Sequence, residues 1–289
     1  MATLRMSCGQ SAECWKTTRL DWGQLVMSAW HRETEMNAGR GQAKNVQARV
    51  VAIIQARMGS SRLPGKVLAE IEGRPMLWRV LERARAAQSL SEVMVATTGE
   101  PRDDAIVDLC RQHGVVCFRG SEADVLDRYY HAAKQQGADF VARITSDCPL
   151  IDSEIIDQVV REFLAGDFDY ASNGLTRTYP RGLDIEVMTF EALQRAHAEA
   201  RPAYQRAHVT PFIYENPTRF KILAVTGAQD YSELRWTVDT PEDLAFVRAI
   251  YQRLENQNCG WREIVKLLEL EPQLAGINAS IAQKALHEG

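Results

Sequence analysis

The chain has 289 residues, 45% of them apolar and 25% charged, with 34 Lys and Arg against 38 Asp and Glu for a net charge of −4. That balance supports a sizeable folded core, and the slight acidity gives no broad electrostatic reason to bind nucleic acid, leaving only a local basic pocket. No apolar run approaches the roughly 18–20 residues of a membrane span, and residues 1–30 lack the continuous apolar core of a secretory signal, so a cytoplasmic protein without membrane insertion is expected. Six scattered cysteines (Cys8, Cys14, Cys110, Cys117, Cys148, Cys259) form no C-x-x-C pair. They fit free thiols in a reducing compartment better than a disulfide framework or a metal site.

Residues 1–47 keep neither helical nor strand spacing for long, even around Trp15, Trp22 and Trp30. They read as a poorly ordered extension, or as sequence upstream of a true start at Met36. From Arg49 strand and helix patterns alternate: strand over Val50–Ala56, helix over Pro75–Ala87, strand over Glu92–Thr97, helix over Asp103–His113. Strand Val115–Phe118, helix Glu122–Gln136, strand Asp139–Ile144 and helix Ser153–Leu164 follow. This order predicts an α/β fold, a three-layer arrangement around a mainly parallel sheet. After Asp167 the regularity changes. A polar loop over Asn173–Gly182 precedes a strand over Leu183–Met188, helical segments near 189–199 and 203–215, and strands over Phe220–Val225 and Glu233–Val238. The helix Pro241–Leu254 carries start signals in Thr240, Pro241 and Asp243, and Trp261–Leu268 reads as a last helix. The expected domain spans 48–275, with an irregular region at 169–215 and a C-terminal tail over 276–289.

The most informative segment follows the first strand: Gln55-Ala56-Arg57-Met58-Gly59-Ser60-Ser61-Arg62-Leu63-Pro64-Gly65-Lys66. Two glycines allow close backbone approach, and Arg57, Arg62 and Lys66 bring charge to a loop able to wrap a polyphosphate. It is not the common P-loop: five residues separate Gly59 from Gly65, and Val67 replaces the Ser or Thr that would hold magnesium. In open α/β sheets ligands bind outside the carboxyl ends of the strands. Asp147, in Arg143-Ile144-Thr145-Ser146-Asp147-Cys148-Pro149-Leu150, and Asp239, in Trp236-Thr237-Val238-Asp239-Thr240-Pro241, fall at such ends. Two carboxylates beside a triphosphate suit Mg²⁺, although Asp147 equally suits a turn and Asp239 a helix start. Thr97-Thr98 with Asp103-Asp104 reads chiefly as capping.

The loop string A-R-x-G-S-S-R-L-P-G-K resembles the nucleotide-binding loop of the sugar-acid cytidylyltransferases, the CMP-Kdo and acylneuraminate synthetases. The resemblance is closest to the branch called spore-coat polysaccharide biosynthesis protein F and runs from about Val50 to about Gln273. R-I-T-x-D-C-P-L-I and V-D-T-P-E-D-L resemble the family's two magnesium aspartate regions, and F-R-G-S-E-A-D-V-L-D-R-Y also recurs. The resemblance implies a nucleotide-diphospho-sugar transferase-like, Rossmann-like sheet with a smaller acceptor and dimerisation region at 169–215, and a homodimer.

It further implies Mg²⁺-dependent transfer of CMP from CTP to a sugar or sugar acid, with pyrophosphate released, in surface polysaccharide or glycoconjugate synthesis. Arg57, Arg62 and Lys66 then hold phosphates in the reaction, and Asp147 and Asp239 hold the metal. The nucleotide is expected against Gln55, Ala56, Gly59, Ser60, Ser61, Gly65, Thr97, Arg119, Gly120, Ser121 and Thr145. Arg181, Asp184 and Glu186, in R-G-L-D-I-E, and His208 are expected at the acceptor. Gln205-Arg206-Ala207-His208-Val209-Thr210 departs from the branch's R-E-H-V-T by placing Ala207 where a glutamate belongs. That departure keeps two alternatives open: a nucleotidyltransferase using another NTP and a sugar-1-phosphate, or a non-catalytic nucleotide-binding relative.

Overall fold

Successive residues of a strand face opposite sides of its sheet, and the first strand, β1 (Val50–Gln55), is apolar on both. Val50, Ala52 and Ile54 enter one core cluster, while Val51 and Ile53 enter another. A strand buried on both faces needs a covering layer on each side. The computed structural model, which describes residues 48–254, 256–257 and 259–283, has that three-layer form. The expectations for residues 1–47, including Cys8 and Cys14, and for the end of the tail lie outside the described residues.

The sheet contains β1, β4 (Glu92–Thr98), β5 (Val116–Gly120), β6 (Phe140–Thr145), β7 (Tyr170–Ser172), β8 (Glu186–Thr189) and β9 (Ile222–Ala224). Their order is β5-β4-β1-β6-β8-β7-β9. β8 pairs antiparallel with both neighbours; the other pairings are parallel. The chain builds outward from β1 through β4 to β5, then returns to place β6 on the other side of β1. That reversal opens a crevice outside the carboxyl ends of β1 and β6, where ligands of doubly wound sheets bind.

Nine α-helices run among the described residues: α1 (Met76–Arg85), α2 (Asp104–Gln112), α3 (Val125–Gln136), α4 (Ser153–Leu164), α5 (Phe190–Glu199), α6 (Ala203–His208), α7 (Pro211–Tyr214), α8 (Pro241–Arg253) and α9 (Trp261–Leu270). Leu77 of α1, Ile106 of α2, Ile156 of α4, Phe246 of α8 and Ile264 of α9 fill the first cluster. Leu126 and Tyr129 of α3, Leu193 of α5 and Ile213 of α7 fill the second. Side-chain capping fixes three of the helix starts that frame the site. The Asp124 carboxylate accepts from Asp127 N at the start of α3, Asp152 does the same for α4, and Thr240 with Asp243 makes a full capping box on α8. No helix among the described residues is long and apolar enough to cross a membrane.

The early elements lie within about three residues of their expected ends; the later ones need correction. Leu183–Met188 pairs as a strand only over Glu186–Thr189, because Asp184 Oδ2 accepts from Gly182 N at 2.8 Å and turns the chain first. Glu233–Val238 is no strand: Arg181 N donates to Leu234 O and Arg181 O accepts from Trp236 N, while Val238 N donates to Asp147 O. With its partners divided, only an isolated bridge forms. The helix expected over 203–215 splits into α6 and α7, since Val209 sits at φ 74° and Pro211 has no N–H to continue the ladder. The strand β7 and the small hairpin β2 (Glu70–Ile71) with β3 (Arg74–Pro75) were not expected. The hairpin turn holds Glu72 and Gly73 at positive φ, as tight two-residue turns require.

Gly182 adopts φ 108°, and a Cβ there would lie 2.7 Å from both Thr237 N and Trp236 C. Neither backbone atom can yield cheaply. Gly182→Ala is therefore expected to lower folding stability by about 2–4 kcal/mol, read as a lower urea midpoint; an unchanged midpoint would contradict this packing.

Candidate functional site

A cavity of about 1000 Å³ opens outside the carboxyl ends of β1, β4, β5 and β6. From the end of β1 and the loop after it the cavity is lined by Gln55, Ala56, Arg57, Ser60, Ser61, Arg62 and Lys66. Gly120 and Ser121 at the end of β5, and Thr145, Ser146 and Asp147 at the end of β6, form further walls. Ala207, His208 and Asp239 complete them from residues far along the chain.

Two anchors shape the loop. Met58 O accepts from Ser60 N at 2.9 Å and from Gly65 N at 3.1 Å, which folds the loop back on itself, and Gly65 takes φ 72° to allow the return. Met58 N donates to Asp103 Oδ1 at 2.8 Å. Asp103 is fully buried, and its other oxygen accepts from Thr98 Oγ1 at 2.5 Å and Thr97 Oγ1 at 3.3 Å. Asp103 makes no helix-cap bond, contrary to the capping expectation; it ties the end of β4 to the phosphate loop. Thr97, expected against the nucleotide, is fully buried and serves this anchor instead.

The loop, β6 and the start of α8 meet at Lys66. Its Nζ lies 3.0 Å from Asp147 Oδ2, 2.9 Å from Asp239 Oδ1 and 2.6 Å from Val238 O. Asp239 Oδ2 is shared by Arg62 at 3.1 Å and Arg235 at 2.9 Å. Arg235 is held in turn by Asp243 at 2.8 Å, whose fully buried carboxylate also accepts from Asp239 N, Thr240 N and Asn278 Nδ2. Asp243 thus caps its helix and braces the cation behind Asp239.

Burial pulls the Lys66 ammonium down, but Asp147 and Asp239 more than offset it and hold its pKa above 10.5. Burial pushes the Asp147 carboxyl up, and Lys66 with a hydrogen bond from Thr145 overcomes that, holding it below 3.8. Burial pushes the neighbouring Cys148 thiol well above its ordinary value, so it is no thiolate nucleophile at neutral pH. Asp147 and Asp239 offer hard oxygen donors converging on one cation, and that donor set fits Mg²⁺.

The sign of the Asp147 shift carries a pH prediction. A depressed carboxyl contributes stability above its unfolded pKa and loses it as pH falls through the folded value. The stability gap between wild type and Asp147→Asn is therefore expected to stay constant from about pH 5 to 9 and to shrink below about pH 4. Urea midpoints at pH 7, 5 and 3.5 check this; a gap already closing between pH 7 and 5 would show a raised carboxyl.

Other expected residues stand apart from the cavity. Arg119 donates to Thr98 O and Glu100 O and pairs with Asp104 at 2.6 Å, bracing the loop after β4. Gly59 and Gly65 shape the loop without lining the cavity. Asp184 pairs with Arg177 and closes the Gly182 turn. Arg181 lies close enough to Asp239 and Asp184 to feel both charges but is not a wall residue. Glu186 pairs with Arg143 and accepts from Tyr170 Oη at 2.5 Å and Thr210 Oγ1 at 2.6 Å. Arg143 also donates to Gln55 Oε1 at 3.1 Å, so Glu186 reaches the cavity only through Arg143 and Gln55.

The sequence reading missed Arg235, Asp103 as an anchor, Arg143, and the wall residues Glu122 and Arg128. Arg235, Asp239 and Asp243 follow each other at intervals of four, a spacing that could have drawn attention to the cluster. Glu122 pairs with Arg57 at 3.9 Å and with Arg102, and nothing local signals that.

A cytidylyltransferase family profile matches residues 51–264. A protein of Methanocaldococcus jannaschii is 41% identical over 83% of this chain and 98% of its own length. The spore coat polysaccharide biosynthesis protein SpsF of Bacillus subtilis is 29% identical over 78% of this chain and 96% of its own. Among solved structures, a cytidylyltransferase from Leptospira borgpetersenii superimposes with a TM-score of 0.77 and 33% identity, covering 83% of this chain and 100% of that one. CMP:2-keto-3-deoxy-manno-octonic acid synthetase complexed with CTP shares the fold, with a TM-score of 0.56 and 23% identity over 72% of this chain and 100% of that one.

Proposed function

This chain belongs to the cytidylyltransferase family, and from that premise we propose that it transfers CMP from CTP to a sugar or sugar acid, releasing pyrophosphate. The observation that carries the reading is the meeting of the phosphate loop with both carboxylates at Lys66. A basic loop alone would bind any anion. A basic loop whose lysine is clamped between two aspartates is arranged for phosphate and a divalent ion together.

In this reading an acceptor hydroxyl attacks the α-phosphorus and releases its proton to solvent, the bond to the α,β-bridging oxygen breaks, and pyrophosphate carries the electron pair away. Arg57, half exposed at the cavity mouth, and Arg62 hold the β- and γ-phosphates. Arg62 exchanges its contact with Asp239 for one with phosphate. Lys66 stays fixed by its three partners and faces the charge that develops on the leaving group, so it needs no reorganisation. Asp147 and Asp239 would hold Mg²⁺, which neutralises phosphate charge and orients the α-phosphate. Positioning does the remaining work: Gln55 is oriented by Arg143, and His208 and Ala207 border the acceptor side. The absent glutamate at Ala207 makes that side less acidic than in the branch pattern. The same reading carries a homodimer through residues 169–215, where Leu175 is exposed; sedimentation of the full chain checks it, and a monomer at all concentrations would oppose it.

The test is pyrophosphate release with each of four NTPs and Mg²⁺ against a panel of 2-keto sugar acids and sugar-1-phosphates. Release with CTP and a sugar acid is expected. Release with another NTP and a sugar-1-phosphate would replace this reading.

A further inference from the structure

We propose that Asp127, His131 and His197 bind one divalent transition-metal ion of the zinc class, clamping α3 to α5 at a site separate from the CTP cavity. None of the three lines that cavity. Asp127 and His131 stand four residues apart on α3 and so share one face, and His197 reaches the same place from α5. His197 Nε2 lies 2.9 Å from Asp127 Oδ1, and His131 Nε2 lies 3.4 Å from the same oxygen. All three ligand atoms fall within 4.8 Å of one another. Tetrahedral zinc with bonds of about 2.0–2.2 Å has ligand–ligand edges of about 3.4 Å, so two of the three edges are already near their bound length. The third closes by rotation of His131, whose side chain is 49% exposed.

Two further observations support a built site. The His197 ring is stacked on Tyr130 at 4.2 Å and 11°, and Tyr130 stacks on Phe190 at 5.7 Å, which fixes the imidazole plane as a ligand requires. Charge pairing also separates neighbours on α3. Asp124, one turn earlier, is neutralised by Arg206 at 2.5 Å, whereas no lysine or arginine among the described residues forms an ion pair with Asp127. It faces imidazoles instead. Two imidazoles and a carboxylate select zinc-class ions over Mg²⁺, which prefers the all-oxygen pair Asp147 and Asp239. Three protein ligands on a partly exposed surface leave the fourth position to water.

The experiment uses the untagged full-length protein after chelator treatment, dialysed against Zn²⁺ alone, with bound metal counted and thermal unfolding recorded. Wild type is expected to hold one more equivalent of zinc than His131→Gln or His197→Gln and to gain several degrees in Tm with saturating Zn²⁺. Both glutamine variants should lose that gain, while Asp147→Asn keeps it. Co²⁺ in place of zinc should give the visible bands of a tetrahedral centre in wild type, absent from His131→Gln. Equal zinc uptake and equal thermal shifts in wild type and both glutamine variants would overturn the site, as would no uptake by wild type. The readout needs no CTP, so its outcome stands apart from that of the proposed transfer activity.

Discussion

Lys66→Ala is expected to lower kcat/KM by about 10²–10³-fold, the size found for removing one preorganised donor from a developing charge. Its cost is not confined to turnover. The Lys66 side chain is 13% exposed and its ammonium neutralises two carboxylates at 3.0 and 2.9 Å, and orphaning a buried charge costs roughly 3–5 kcal/mol. Asp239 keeps Arg62 and Arg235, so Asp147 bears most of the loss and about 2–3 kcal/mol is expected. The variant separates the two roles of this lysine. Mg²⁺ should stabilise Lys66→Ala more than it stabilises wild type, because the carboxylates have lost their internal cation, yet turnover should remain low because the phosphates have lost their donor. Urea midpoints with and without Mg²⁺, alongside steady-state rates, measure both. A variant with near-normal kcat/KM would remove Lys66 from the reaction.

Asp147→Asn has the second large expected effect. It keeps the shape of the side chain, keeps Lys66 paired with Asp239 at 2.9 Å, and removes one charge from the pair expected to hold Mg²⁺. A fall in kcat of about 10²–10³-fold is expected, with the Mg²⁺ concentration for half-maximal rate raised at least tenfold, roughly 1.4 kcal/mol or more in ion binding. Asp239→Asn should lose stability as well, since that carboxylate sits among Lys66, Arg62 and Arg235; Lys66 keeps Asp147 and Arg235 keeps Asp243, but Arg62 loses its carboxylate. Rates over a Mg²⁺ titration distinguish the cases: an unchanged Mg²⁺ dependence in Asp147→Asn would show that the ion binds elsewhere.

What could be read in the sequence is what is local in it. The loop from Arg57 to Lys66 announces itself because its glycines, serines and cations are contiguous, and strands such as β1 and β6 because apolar runs follow one another. The start of α8 needs only Thr240 and Asp243 three residues apart, with Pro241 between them. Arg79 and Arg83 show the opposite case. They lie on the buried face of α1, at 4% and 5% exposure, where helical periodicity asks for apolar residues. They are tolerated because Arg79 donates to Ile71 O and Glu72 O and Arg83 to Ile151 O and Cys259 O, partners up to 176 residues away. The bracing of Asp239 likewise ends at Asn278, 35 residues beyond Asp243, and Arg143 acquires its role only once β8 brings Glu186 beside it. Asp184 and Glu186 were expected at the acceptor because they sit in a recognisable string. A string gives spacing but not orientation, and in the folded chain one closes a turn and the other neutralises an arginine.

Calorimetric titration of the full-length protein with CTP, UTP, GTP and ATP, each with and without Mg²⁺, tests the proposed transfer most directly. One CTP site per chain is expected, dependent on Mg²⁺, tighter than for the other three nucleotides, and weakened at least tenfold in both Lys66→Ala and Asp147→Asn. Equal binding of all four nucleotides, or CTP binding indifferent to Mg²⁺ and to both substitutions, would contradict it.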